Sequence, residues 1–180
     1  MTAARARVLV YGYGNPGRLD DGLGPAFADA LAQLCLEGVD VDANYQLSLE
    51  DAAACAEHDV VIFVDADTGG REPFWFDRVA PRQDGVGFSS HSVSPEALLA
   101  LATDLMGGAM AGYVLGIRGY EFNGFGEVLS ARARRNLEAA VAFARELLAT
   151  GEFDEYTTPR ESEDEAAHRP AELAGGEVSR

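Results

Sequence analysis

Apolar residues along the chain fall into two kinds of run that alternate with each other. Continuous apolar runs predict buried strands over Arg7–Tyr13 and Val60–Val64, and a third strand is predicted over Val39–Leu47. Apolar positions at helical spacing predict one helix from about Asp21 to Leu36 and a long amphipathic helix over Ser130–Ala149. The first part of the chain therefore alternates strand and helix.

Turn and cap residues predict the remaining elements. Ser48 is placed to cap a short helix that ends near Glu57, and the triplet Ser94-Pro95-Glu96 is typical of a helix start, here of a helix to about Met106. Strands are predicted over Phe74–Val79 and Tyr113–Tyr120. This order of elements predicts an α/β fold, a three-layer sandwich in which helices flank both faces of a mostly parallel twisted sheet.

Composition divides the chain at about residue 150. We expect one packed domain over residues 1–150, which is an ordinary size for a single domain. Residues 151–180 carry nine acidic residues against three arginines and almost no large apolar ones. Such a segment cannot bury enough apolar surface to offset the entropy of ordering, so it is predicted to be a disordered acidic tail.

Charge and missing residue types exclude several functions. The formal net charge is −16, which argues against a nucleic-acid partner or an anionic membrane surface and suits a metal ion or a basic peptide. All 14 basic residues are arginine, so neither a P-loop lysine nor a Schiff-base lysine exists. The apolar run near the N-terminus is too short for a signal peptide or a membrane span, and a cytoplasmic protein with two buried, reduced cysteines is expected.

A glycine-rich segment follows the first predicted strand. Residues 12–17 (Gly-Tyr-Gly-Asn-Pro-Gly) match the GxGxxG pattern of dinucleotide-binding loops. Asp20 and Asp21 stand where a pyrophosphate would need amide donors and a positive helix terminus, so they oppose that function. One of the two acids is expected to cap the helix, and the other is expected to face the crevice at the strand ends.

Three polar residues are predicted to meet at that crevice. Asp65 directly follows the predicted strand Val60–Val64, Asp21 follows the glycine loop, and His91 precedes the helix start at Ser94. Two carboxylates and an imidazole suit a divalent metal such as Ni, Zn, Mn or Fe, and the spacing alone does not choose among them. HExxH and GxSxG motifs are both absent from the sequence.

These motifs together resemble a known family. Residues 12–15 (GYGN) with residues 18–24 (RLDDGLG) resemble the GxGN…(D)(D/E)GxG opening of the nickel–iron hydrogenase maturation endopeptidases. Residues 64–66 (VDA) resemble that family's second motif, and His91 before Ser94 and a leucine-rich helix resembles its third. The order and separations agree from Val8 to about Leu148.

The resemblance implies a function and a site. It implies an endopeptidase that removes the C-terminal extension of a nickel-loaded hydrogenase large-subunit precursor, with Asp21, Asp65 and His91 as catalytic and metal-recognising residues. The family's first ligand is often glutamate, whereas this chain has Asp21. Nickel would be supplied by the substrate and read as a checkpoint, with no permanently bound metal, and the protein is expected to be a monomer.

Two other functions remain open at this stage. A non-catalytic assembly factor could use the same three residues only to bind nickel. A dinucleotide-binding oxidoreductase could use the glycine loop at residues 12–17. Neither the water-activating group nor the cleavage site follows from the sequence.

Overall fold

The computed structural model describes residues 6–82 and 93–158. The five strands are β1 (Val8–Tyr13), β2 (Val39–Asn44), β3 (Val60–Asp67), β4 (Phe74–Val79) and β5 (Ala111–Arg118). The four α-helices are α1 (Leu23–Ala32), α2 (Ala52–Ala56), α3 (Pro95–Met106) and α4 (Ala131–Thr150). Short 3-10 turns occur at Leu19–Gly22, Leu49–Asp51 and Phe153–Tyr156.

The strands form one sheet in the order β2-β1-β3-β5-β4. All neighbouring pairs are parallel except β4 and β5, which pair antiparallel with Phe74 opposite Ile117. β2 and β3 lie on opposite sides of β1, so the strand order reverses at the β1–β3 pair. In open α/β sheets, the crevice at such a reversal is where ligands bind, outside the carboxyl ends of the strands.

Two apolar cores cover the two faces of the sheet, because successive side chains of a strand point to opposite sides. One core joins the sheet to α1 and α4 through side chains such as Val10, Ile62 and Phe27. The other joins it to α2 and α3 through Tyr11, Phe63 and Leu98, among others. This arrangement confirms the predicted sandwich of helices on both faces of a mostly parallel sheet.

Most predicted element positions are correct, and the differences have local causes. α3 begins at Pro95 as predicted, because the Ser94 hydroxyl accepts a hydrogen bond from the Ala97 amide at 3.2 Å. The helix expected from about Asp21 is instead a 3-10 turn over Leu19–Gly22 followed by α1, and neither acid caps a helix through its side chain. Cys55 is buried as expected, but Cys35 is exposed.

The acidic segment contains an ordered beginning that the composition did not predict. Phe153 is buried in the first core with its ring centroid 5.6 Å from that of Tyr113. The Tyr113 hydroxyl donates to Asp154 at 2.7 Å, and the Thr158 amide donates to the Phe76 carbonyl. The prediction of a structureless tail from residue 151 is therefore wrong for residues 151–158, and residues 159–180 lie outside the described residues.

Within the described ranges, no helix is both long enough and apolar enough to cross a lipid bilayer.

Candidate active site

Asp65 occupies the carboxyl end of β3, one strand away from the end of β1. Gly12 of β1 is in register with Val64 of β3, so Asp65 lies level with Tyr13, the last residue of β1. β3 continues three residues beyond the predicted end at Val64, to Asp67, and Asp65 is opposite Gly116 of β5. The Asp65 side chain therefore lies at the β1–β3 crevice, half-buried between two other strands.

The environment of Asp65 disfavours its charged form. Burial raises the pKa of Asp65 to about 6, and the negative charges of Asp21 and Asp67 act in the same direction. Hydrogen bonds from the Ala66 amide and from Tyr13 act in the opposite direction. A carboxylate with these surroundings is a candidate for proton transfer near neutral pH, and a cation between the two carboxylates would relieve their repulsion.

Tyr13 is a site residue that the sequence did not identify. Burial raises the pKa of the Tyr13 hydroxyl, and the charge of Asp65 and a hydrogen bond to it raise that pKa further. The charge of Glu96 contributes as well, which places the first turn of α3 near the same crevice. The residue could have been suspected only from its position at the end of a buried strand next to a glycine.

Asp21 is held at the crevice by the loop that follows β1, residues 14–22, which we call the β1–α1 loop. Its Oδ2 atom accepts a hydrogen bond from the Asn15 amide at 3.0 Å. Asn15 in turn accepts one from the Gly17 amide at 2.9 Å, so the loop is closed by its own side chains. The negative charge of Asp21 acts to raise the pKa of Asp65, and a shared role of the two residues in one site stays a prediction.

The glycines of this region serve close packing between β1 and α1. A Cβ atom on Gly12 would lie 2.2 Å from the Gly24 carbonyl oxygen, and one on Gly14 would lie 2.1 Å from the Asp21 carbonyl oxygen. Gly14 also has a φ of +140°, a backbone angle that residues other than glycine rarely adopt. The approach of helix to strand accounts for these glycines without a bound pyrophosphate.

Comparison with known proteins bears on the fold. Neither protein-family models nor curated protein sequences match the chain. Among solved structures, a nickel–iron hydrogenase maturation protease, HycI, from Thermococcus kodakarensis superposes with a TM-score of 0.64 at 22% identity, covering 82% of this chain and 95% of that one. A hydrogenase 2 maturation peptidase from a Thaumarchaeota archaeon gives 0.59 at 25% identity, covering 79% and 98%. The chain shares the fold of the hydrogenase maturation proteases.

A third structure of that fold agrees with this placement. The hydrogenase-maturating endopeptidase HybD from Escherichia coli superposes with a TM-score of 0.57 at 19% identity and covers 81% of this chain and 94% of that one. In each comparison, about four-fifths of this chain superposes on most of the other protein. In this chain, residues 12–24 and residues 64–66 both lie where β1 and β3 are neighbours.

Asp20 is structural in this copy of the maturation-protease fold. Its side chain is fully buried and accepts from the amides of Tyr120, Glu121 and Ser130 at 2.7–3.0 Å, and from the Ser130 hydroxyl at 2.8 Å. Burial alone would raise the pKa of Asp20, but these hydrogen bonds hold it below its usual value. Because the four donors occupy both oxygens, Asp20 does not share the role of Asp21.

Asp67 also has a structural role. Its Oδ1 atom accepts from the amides of Gly69 and Gly70 at 2.9 and 3.0 Å, and its Oδ2 atom accepts from the Trp75 indole. Trp75 lies against Gly116, where a Cβ atom would come within 2.3 Å of the ring. Asp67 therefore shapes the turn after β3 while its charge still acts on Asp65.

His91, the third predicted site residue, lies outside the described residues. The described residues on either side of that segment lie close together, because the Arg82 amide donates to the carbonyl of Glu96 in the first turn of α3. Residues 6–82 and 93–158 contain no group of three or more His, Cys, Asp and Glu side chains that could hold a metal ion. The placement of His91 beside Asp21 and Asp65 stays a prediction.

Proposed function

We propose that this protein is an endopeptidase that removes the C-terminal extension of a nickel-loaded hydrogenase large-subunit precursor. The observation that carries the proposal is the carboxylate pair. Asp21 and Asp65 meet at the strand-order reversal of a sheet that has the maturation-protease fold, where one raises the pKa of the other. The named neighbours of this fold are hydrogenase maturation proteases, which supports the reaction class.

The reaction is the hydrolysis of one peptide bond. Water attacks the scissile carbonyl carbon, the bond between that carbon and the amide nitrogen breaks, and the departing nitrogen takes up a proton. Asp65 is the proposed acceptor of the proton from the water, because its carboxylate lies at the carboxyl end of β3, in the crevice where the precursor would bind. The Tyr13 hydroxyl, hydrogen-bonded to Asp65, orients that carboxylate.

Nickel enters the proposal as part of the substrate. Two like charges at one crevice repel each other, and a divalent cation presented by the precursor would be attracted to both. Asp21 and Asp65 would then contact the metal only when a loaded precursor is bound, and His91 is proposed as the third contact. Because the nickel arrives with the precursor, cleavage would depend on whether that precursor has been loaded with nickel.

The direct test is the intact mass of a nickel-loaded precursor after incubation with the protein. Loss of the mass of the C-terminal extension is expected with the wild type. Asp21→Asn and Asp65→Asn should leave the precursor at full length. Asp29→Asn is the matched control, because Asp29 is an exposed acid on α1, and it should cleave like the wild type. Cleavage by Asp65→Asn at the wild-type rate would remove the carboxylate pair from the proposal.

The two alternative functions give different results. A nickel-binding assembly factor would bind the precursor and leave its mass unchanged. A dinucleotide-binding oxidoreductase would be stabilised against heat by NAD(P) or FAD. We expect no such stabilisation, for two reasons. Gly12 and Gly14 are packed closely against the chain at the start of α1, which leaves no room for a pyrophosphate there. In addition, the carboxylates of Asp20 and Asp21 precede the first turn of α1.

A further inference from the structure

The loop between β5 and α4, residues 119–130, is bound tightly to the segment that carries Asp21. We call it the β5–α4 loop. The Leu19 amide donates to the Gly126 carbonyl at 2.8 Å, and the Gly126 amide donates to the Gly17 carbonyl at 2.9 Å. The four hydrogen bonds to the buried Asp20 carboxylate fix both ends of the same loop, at residues 120–121 and at Ser130. The β1–α1 and β5–α4 loops therefore form one rigid body.

Leu19 lies at the centre of this body in a strained conformation. It has a φ of +54°, a backbone conformation that is uncommon for a residue with a bulky side chain. Its side chain packs where Gly124 and Gly126 leave room, since a Cβ atom on either glycine would lie 2.8 or 3.1 Å from a Leu19 methyl group. Two glycines thus wrap around Leu19, and the residue between them, Phe125, is left on the outside.

Phe125 is the most exposed large apolar residue among those described, at 92% of its full accessibility, and Val128 on the same loop is 70% exposed. Backbone hydrogen bonds and the buried Asp20 carboxylate hold the loop that carries Phe125. A partner that binds Phe125 therefore does not have to order the loop first. Aromatic anchors of this kind carry much of the binding energy in protein interfaces. The loop therefore presents a ready contact surface beside the crevice.

Charge and distance indicate what covers this surface. Glu121 and Glu127 on the loop are exposed, and with Asp21 they outnumber Arg18, the exposed cation of the β1–α1 loop. The exposed Arg134 and Arg135 belong to α4, and the protein as a whole carries a formal net charge of −16. The backbone connection through Leu19 and Gly126 limits the separation of Phe125 and Asp21 to about 16 Å between Cα atoms. An extended peptide of at most about five residues spans the gap, at roughly 3.4 Å per residue.

We propose that Phe125 is a docking residue for the polypeptide substrate, packing against an apolar side chain in a basic, extended segment of the precursor within about five residues of the metal-bearing site. The inference rests on the proposed endopeptidase function and adds a determinant of substrate binding to it. Val128 widens the apolar contact, and Glu121 and Glu127 attract the basic residues of the segment. Phe125 touches no reacting atom, so its effect falls on binding.

The test compares two exposed apolar residues at opposite ends of the strands. Leu105, which is 75% exposed near the end of α3, precedes the amino end of β5, whereas Phe125 follows its carboxyl end, so Leu105 is the matched control. With nickel-loaded precursor as the probe, Phe125→Ala should raise KM about tenfold or more while kcat stays within about twofold. Phe125→Leu should restore most of the affinity, and Leu105→Ala should behave as the wild type. Added salt should weaken wild-type binding.

The outcomes separate this inference from the proposed function. Cleavage by the wild type with an unchanged KM in Phe125→Ala overturns the docking role and leaves the endopeptidase intact. If the precursor binds in a Phe125-dependent way but is not cleaved, the docking role is supported and the proposed endopeptidase function is rejected. A loss of self-association in Phe125→Ala, seen by light scattering with KM unchanged, assigns the surface to a second copy of the chain and overturns the inference. Failure of the wild type to bind the precursor overturns both.

Discussion

Asp21 lies close enough to Asp65 for its negative charge to raise the pKa of the Asp65 carboxyl group. The two residues are 44 positions apart in the chain and belong to different elements, a loop after β1 and the end of β3. Folding brings them together because β1 and β3 are neighbours and run parallel. The adjacent acid, Asp20, points into the protein and binds the β5–α4 loop instead.

Asn substitutions at the two adjacent acids should separate their roles. Asp20→Asn should lower the free energy of unfolding by about 2–4 kcal/mol, because a buried carboxylate that accepts four hydrogen bonds is replaced by an amide that brings two donors of its own. Asp21→Asn should change it by less than about 1 kcal/mol, as for a partly exposed site. Urea unfolding of both variants measures the difference, and equal losses would refute this assignment.

His91→Ala tests the residue whose placement stays a prediction. If His91 is the third contact to the substrate's nickel, the variant should fail to shorten the precursor, while its thermal stability stays within about 1 kcal/mol of the wild type. His58→Ala is a useful contrast. His58 is buried and bonded to Ala54 and Asp40, so its loss should affect stability and leave cleavage at a temperature well below unfolding unchanged. Normal processing by His91→Ala would rule the histidine out of the site.

Two truncations test where the packed chain ends. A chain ending at Thr158 should melt close to the full-length protein, since residues 159–180 have the composition of a segment that cannot offset its ordering entropy. A chain ending at Gly151 loses the buried Phe153 ring and the bonds of Asp154, and should lose about 3–5 kcal/mol. Comparable urea midpoints for the two truncations would show that residues 152–158 contribute little.

Alkaline pH should weaken the contact of Tyr113 with this segment. Burial and the hydrogen bond to Asp154 raise the pKa of Tyr113 to about 12, so the folded protein holds the phenolic proton more tightly than the unfolded chain. Protonated Tyr113 therefore contributes on the order of 2 kcal/mol to the free energy of unfolding. This contribution is fully present below about pH 10 and is lost as the pH rises toward 12. Tyr113→Phe should lose less stability over that range in urea titrations at fixed pH, and parallel curves would contradict the assignment.

The sequence predicted the strands and helices around the site better than the contacts of its side chains. The apolar run at Val60–Val64 and the glycines at residues 12–17 locate β1 and β3, because a buried parallel strand and a close helix contact have strong local signals. From these, the meeting of Asp21 and Asp65 follows by topology alone. The Ser94 cap likewise fixes the start of α3 from four residues of sequence.

Long-range contacts are what the sequence could not supply. The choice between Asp20 and Asp21 depends on Ser130, which is 110 positions from Asp20 and carries no local signal of the pairing. The role of Tyr13 depends on the neighbouring strand, and the burial of Phe153 within an acidic segment depends on the ring of Tyr113. In each case a partner distant in the chain outweighs the local composition.

We propose that Asp21 and Asp65 recognise nickel carried by the precursor, and this can be tested with protein from which any bound metal has been removed. The protein is treated with a chelator, desalted, and incubated separately with nickel-loaded and nickel-free precursor, and the intact mass of each is recorded. We expect the loaded precursor to lose its C-terminal extension and the nickel-free form to keep it. Activity that returns only when zinc or another metal is added back to the protein, or equal cleavage of both precursors, would contradict it.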